Sequence, residues 1–259
     1  MTKFNETSTS PENGAFVKRF ADKPSYIAEL NALRGLSGRG ITPEIIAHDN
    51  TTRTLRIADA GMTLRSLRVD AEHTFSVSQI RRFASALFQC LTKLHEANFC
   101  HYDVTEGNIC IQAQCRADGS LDLDQDFQVK LIDFGLSFRV DDIPQDYIGN
   151  KSLGTPVCRS PEHISGLPHY GQAADVFCAA ATVVQVIEDA PDAFPLMFGR
   201  PERQIQVAQE RMDITRSITA ASGELLPKDI QAVLFSMLHP HPSERPSSKT
   251  CYHLLGLAV

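Results

Sequence analysis

Residues 100–111 read CHYDVTEGNICI. His101 is followed by Asp103, Asn108 stands five positions after that aspartate, and the apolar run Ile109–Ile111 begins at once. Such a stretch is either an ordinary polar turn between a helix and a strand or a loop that holds a carboxylate and an amide side by side. The flanking segments decide which.

Upstream, SVSQIRRFASALFQCLTKLHEANF (76–99) carries Ile80, Phe83, Leu87, Leu91 and Leu94 at helical spacing, with Ser76 and Gln79 placed for a capping box. Downstream, NICIQ (108–112) and QVKLID (128–133) read as short strands joined by a polar insertion. Further on, AADVFCAAATVVQVI (173–187) is apolar on nearly every side, which predicts a buried central helix. PKDIQAVLFSMLHP (227–240) and SKTCYHLLG (248–256) supply two amphipathic helices. Before residue 76 the pattern differs. AFVKRF (15–20) alternates as a half-buried strand does. In the helix that follows, Ile27, Leu30 and Leu33 share a face, closed by Gly35 or Gly38. Residues 44–59 read as a hairpin turning at Asp49–Asn50. The expected organisation is a disordered stretch over 1–13, a small strand-rich lobe over 14–62 and a helical lobe over 63–259, together one domain.

Transferring a nucleotide's γ-phosphoryl group needs a carboxylate to orient the acceptor hydroxyl, hard oxygen ligands for Mg²⁺ and a cation on the phosphates. Asp103 and Asn108 lie in one loop, and LIDFG (131–135) puts Asp133 at the end of the next strand, before Gly135. Asn108 and Asp133 can then converge from neighbouring strand ends. Lys18 on a strand and Glu29 on the following helix can form the ion pair that aims a lysine at phosphate.

These residues resemble the eukaryotic-type protein kinase family from about residue 15 to 255. HYDVTEGN is similar to the family's HRDxxxxN loop, and Asp133-Phe134-Gly135 matches its DFG motif. GTPVCRSPE (154–162) resembles the end of an activation segment, Asp175 the aspartate that opens the central helix, and Arg245 the arginine that pairs with the segment's glutamate, here Glu162. The resemblance implies an α+β bilobal fold with a reduced sheet lobe, ATP and Mg²⁺ as cofactors, and transfer to Ser or Thr of a protein. It makes Asp103 the catalytic base, Asn108 and Asp133 the Mg²⁺ ligands, and Lys18 the holder of the α- and β-phosphates with Glu29 as partner. Thr155 is either a hydrogen-bond partner of Asp103 or a plain turn residue. LRIADAGMTL (55–64) aligns with the hinge, making Ala58 a small gatekeeper and Asp59 the first hinge residue beside the nucleotide.

Four departures stand out. Only 17 residues precede Lys18 and Gly14 is the sole glycine among them, so the glycine-rich phosphate lid is missing or rebuilt. Lys18 and Glu29 are 11 apart, which forces the helix to begin just after the strand. Tyr102 replaces the arginine that grips a phosphorylated activation loop, which predicts activity independent of that control. Thr105 stands where serine/threonine kinases carry a lysine, as a small hydroxyl residue does in Rio-type kinases. Two other functions therefore stay open: a pseudokinase that binds partners through its kinase shape, and a small-molecule phosphotransferase, which shares HxDxxxxN.

The chain has 259 residues, 42% hydrophobic and 22% charged, with a net charge of -6. That balance argues against nucleic acid as the main partner. No apolar stretch reaches the roughly 18 residues a membrane span needs, and no membrane partner is expected. The seven cysteines are scattered without CxxC pairs, which suits reduced thiols in the cytoplasm, or in a host's cytosol if a compact kinase of this kind is an effector. Oligomeric state is not legible. His101 reads as a packed structural residue. Asp122, Asp124 and Asp126 have calcium-loop spacing but Phe127 replaces the required glycine, so they read as a solvated hairpin. Arg53, Arg56, Arg65, Arg68, Arg81 and Arg82 read as solvated faces.

Overall fold

The computed structural model describes residues 8–12, 14–143, 154–155, 158–166, 171–188 and 219–256. Strands β1 (Ser8–Glu12), β2 (Ala15–Arg19), β3 (Ile45–Asp49) and β4 (Thr54–Ala58) form an antiparallel sheet in the order β1-β2-β4-β3, with helix α1 (Lys23–Gly35) between β2 and β3. β1 corrects the expectation of disorder for part of 1–13. Its sequence, STSPE, is polar and contains Pro11, but an edge strand tolerates both. β1 pairs with β2 in antiparallel register from Ser8–Arg19 to Glu12–Ala15. Residues 1–7 lie outside the described residues.

Asp22 caps α1: its Oδ1 accepts from Ser25 N at 2.8 Å, and Pro24 occupies the first turn, where its missing N–H costs nothing. Only three residues thus separate the helix from β2, as the short spacing requires. Its buried face carries Tyr26, Glu29, Leu30, Ala32 and Leu33. Ile27, expected on that face, is 37% exposed; the stripe is rotated so that Glu29 points inward. Gly35 is the last helical residue and Leu36 the cap.

A short linker, 59–61, leads to β5 (Met62–Thr63), which pairs with β7 (Ile109–Gln112), itself paired with β8 (Gln128–Leu131). A π-helical turn, Ser66–Asp70, follows β5. Helix α2 (Val77–Glu96) has the predicted capping box: Ser76 Oγ accepts from Gln79 N, and Gln79 Oε1 accepts from Ser76 N, both at 3.2 Å. Ile80, Phe83, Leu87, Leu91 and Leu94 are all buried, each contributing roughly 1.5–3 kcal/mol. β6 (Phe99–Cys100) pairs with β9 (Phe138–Arg139) across the loop of interest. Helices α3 (Pro161–Ser165), α4 (Gln172–Glu188), α5 (Lys228–Met237) and α6 (Ser248–Gly256) complete the larger lobe. α4 is buried on every side from Ala174 to Ile187, which is why it needs no polar face.

The arginines are not uniformly solvated. Arg68 is buried against Glu106, Arg81 pairs with Asp229 at 2.7 Å, and Arg53 donates to Phe20 O at 3.2 Å. In the acidic insertion, Asp122 and Asp124 both accept from Arg116, at 3.1 and 2.7 Å.

Candidate active site

A cavity of about 370 Å³ opens between the two lobes. Phe16 and Lys18 enter it from β2, Cys110 from β7, and Asn108 and Asp133 from the strand ends below. A flat ring can therefore slide between an aromatic side chain above and a small thiol below. Burial pushes the Cys110 thiol up to about 12, so it stays protonated and acts as a packing group.

Lys18 Nζ lies 2.5 Å from Glu29 Oε2 and 2.9 Å from Asp133 Oδ1. Burial works to lower the Lys18 pKa, but the two carboxylates outweigh it and raise the group above its ordinary 10.5. Glu29, 2% exposed, is pushed by burial from 4.5 up to about 7; Lys18 pulls it down, while Asp133 adds like-charge repulsion. Asp133 faces the cleft, its side chain 54% exposed. What burial it has raises its pKa, yet Lys18 and the Gly135 N–H hold it below the usual carboxylate value.

The loop from His101 to Asn108 is fastened from behind. Asp175, at the start of α4, accepts from His101 N and Tyr102 N, both at 2.8 Å. Two successive N–H groups aimed at one carboxylate form a nest, and Tyr102 adopts φ +71° to make it. His95 Nε2 adds a third contact to Asp175 at 3.2 Å. His101 Nε2 lies 3.0 Å from Ile132 O and its Nδ1 accepts from Asp103 N at 3.3 Å. That pair of partners requires the neutral Nε2–H tautomer, so His101 is a brace behind the loop.

Asp103 is held on both oxygens. Oδ1 accepts from Thr155 N at 2.7 Å, and Oδ2 accepts from Asn108 Nδ2 at 2.9 Å. Thr155 thus meets Asp103 through its backbone N–H rather than its hydroxyl. Gly154, at φ +68°, makes that approach possible: a Cβ there would sit 3.1 Å from Tyr102 O. Asn108 Nδ2 also donates to Asp103 O at 2.9 Å. With its amide hydrogens spent on Asp103, Asn108 offers its carbonyl oxygen to the cavity. That oxygen and the Asp133 carboxylate are two hard donors, which fits Mg²⁺, an ion usually held by one or two side chains plus phosphate oxygens. Among the described residues no cluster of three or more His, Cys, Asp or Glu exists that would suit a site made by the protein alone.

The linker needs one adjustment. β2 and β4 pair Phe16 with Ile57 and Lys18 with Leu55, so Ile57 shares the cleft face with Phe16 and Lys18. Ala58 pairs with Ala15 on the opposite face and reaches the cavity at the strand end. Ile57 thus lies on the cleft face itself, while Ala58, expected there as the gatekeeper, lines the cavity from the strand end. Asp59 does not line the cavity; its Oδ1 accepts from Gly61 N at 2.8 Å and shapes the turn. Gly61, at φ +96°, passes so close to β7 that a Cβ would fall 2.3 Å from Ile111 O.

Two features escaped the sequence reading. Tyr102 packs as an aromatic plug, stacked on His163 at 4.8 Å and edge-on to Phe138 at 5.3 Å. Glu106 is gripped by Arg65 and Arg68. A glutamate buried in the HYDVTEGN loop was the only signal of a partner. Farther out, Glu162 and Arg245 form a buried bidentate pair, both bonds 2.8 Å.

Comparison with known proteins places the chain in a family. The protein kinase domain profile matches residues 19–254. The chain belongs to the protein kinase family. This kinase is 34% identical to dual specificity tyrosine-phosphorylation-regulated kinase 2 of Drosophila melanogaster over 128 residues, 49% of the chain and 15% of the relative. It is 26% identical to a probable serine/threonine-protein kinase of Dictyostelium discoideum over 255 residues, 96% of the chain and 14% of that relative. The chain thus spans about a seventh of the length of either relative. A chain in the CAK complex of Chaetomium thermophilum bound to ATP-gamma-S superposes with a TM-score of 0.68 at 18% identity, covering 92% of this kinase and 81% of that chain. That likeness establishes the bilobal α+β kinase fold. Among the described residues no helix is long and apolar enough to cross a membrane.

Proposed function

We propose that this kinase binds ATP with Mg²⁺ and transfers the γ-phosphoryl group to a serine or threonine hydroxyl of a protein. The observation that carries the reading is the convergence of Lys18, Asp103, Asn108 and Asp133 on one interlobe cavity and its mouth. The names of its serine/threonine kinase relatives and the ATP-gamma-S of its structural neighbour support the same chemistry.

Lys18, aimed by Glu29, holds the α- and β-phosphates. Asp133 and the Asn108 oxygen hold Mg²⁺, which when bound neutralises charge on the transferring group. Asp103 accepts the hydroxyl hydrogen and orients the acceptor oxygen for in-line attack; Thr155 N and Asn108 Nδ2 keep its carboxylate from rotating away. Ile57 and Phe16 give the nucleotide's ring an apolar wall that excludes water. Tyr102 packs on Phe138 and His163 where the family carries an arginine, so activity does not depend on a phosphate gripped by that arginine. Free thiols, six of them buried, support a reducing cytoplasm as its setting.

The test is transfer from γ-labelled ATP to a generic protein or to the kinase itself. Lys18→Met and Asp133→Ala should each abolish it; transfer undiminished in either variant rejects the assignment. A second reading, a binding module without turnover, draws on Gly14 being the sole glycine among residues 1–17 and on Thr105. It predicts a nucleotide-induced thermal shift with no transfer.

A further inference from the structure

Glu106 lies between the base and the metal ligand of the proposed site, in a turn closed by Asn108 N donating to Thr105 O at 3.0 Å. Every acceptor on Glu106 is taken by the segment after the linker. Its main-chain O accepts from Arg65 N at 3.0 Å, Oε1 from Arg65 Nη1 at 3.0 Å, and Oε2 from Arg68 Nη1 at 2.6 Å. Arg68 is 1% exposed along its side chain, Arg65 60%.

The segment that supplies these donors is unusual. Ser66 N donates to Thr63 Oγ1 at 3.0 Å and Ala71 N to Ser66 O at 3.0 Å, the five-residue step of a π-turn. π-Turns are rare and gather at functional sites. Here the turn brings two arginines three positions apart onto one carboxylate. Burying an arginine this deeply is costly unless it is paired, and a solvated lysine–aspartate pair would stabilise the surface equally well. The burial therefore has another consequence, which is geometry.

We propose that Arg68, assisted by Arg65, is a positioning residue of the phosphoryl-transfer site, fixing through Glu106 the turn that presents Asn108 to Mg²⁺ and to Asp103. The segment after the linker holds Asn108 from both sides. Before it stands the Glu106 clamp; after it, β5 pairs with β7 at Thr63–Cys110 and Met62–Ile111. Gly61 and Thr63 line the nucleotide cavity together with Gly107 and Asn108. A nucleotide seated against the linker thereby bears on the same strut that sets the metal ligand. The inference rests on the ATP and Mg²⁺ reading given above.

The experiment is a Mg²⁺ titration of the ATP-induced thermal shift on the full chain, with phosphate transfer measured in parallel. Arg68→Met and Glu106→Gln should raise the Mg²⁺ concentration for half-maximal shift by about 10- to 100-fold, the range seen when groups supporting a ligand are removed. The shift given by ATP without Mg²⁺ should stay the same. Arg68→Lys should recover part of the loss, and Arg65→Ala should show a smaller rise. A folded Arg68→Met protein with the wild-type Mg²⁺ requirement overturns the proposal. Should that variant not fold, Arg65→Ala carries the test, since its side chain is largely in solvent; an unchanged requirement there overturns it equally. Failure of the enzymatic reading looks different: the wild type shows a Mg²⁺-dependent shift but transfers nothing, and the titration still decides the clamp.

Discussion

Lys18 sits between two carboxylates, and the balance among the three groups sets how the site responds to pH. Glu29 titrates near 7 because burial disfavours its charge. Below that pH it takes up a proton and loosens its hold on Lys18. The kcat/KM for ATP, which reports the free enzyme, should fall on the acid side of about 7. Glu29→Gln should flatten that limb at a lower overall rate; an unchanged acid limb would remove Glu29 from the account. Stability runs the opposite way. A carboxyl whose folded pKa is raised favours the fold most below its unfolded value, and that contribution is lost as pH climbs from 4.5 towards 7. Wild type should therefore lose melting temperature relative to Glu29→Gln over that interval. The residues of this triangle were legible because each stands in a short local motif. Ile57 was not. Alternation says that neighbouring strand residues face opposite ways, but only the pairing with β2 says which one enters the cleft.

At the scale of elements, the parts that read correctly are those whose signal is local. The α2 capping box needs only Ser76 and Gln79, and Ser76→Ala should cost about 1 kcal/mol in urea unfolding. Glu162 of α3 and Arg245, which precedes α6, were legible only through family order. Their side chains are 1% and 0% exposed. Removing one partner leaves a buried charge, so Arg245→Met should destabilise by about 3–5 kcal/mol; a loss under 1 kcal/mol would contradict the buried pair. β1 and the π-turn were opaque for physical reasons. STSPE has no apolar alternation because it is an edge strand, and nothing in Ser66–Asp70 distinguishes a five-residue step from an ordinary helical one. The rotation of α1 that exposes Ile27 also follows from tertiary demand, since Glu29 has to meet Lys18 across the helix–sheet boundary.

The whole molecule joins two lobes through 59–61, and the cleft is useful only if that linker keeps its close approach to β7. Gly61→Ala would drive a methyl into Ile111 O, so it should lower the melting temperature and weaken the ATP-induced shift together. The lobe order, the central helix and the cleft were legible because the motifs fall in sequence order along the chain. How the cavity is walled was not, since that depends on side chains brought together by the fold: Phe16 above, Cys110 below, and Lys18 held by two acids. The most direct measurement is steady-state transfer of γ-phosphate from Mg²⁺-ATP by wild type and Asp103→Asn, with nucleotide binding followed on both. The account predicts equal binding and a kcat lower by about 10²- to 10⁴-fold in the variant. Equal turnover by the two proteins, or a wild type that binds and never transfers, would contradict it.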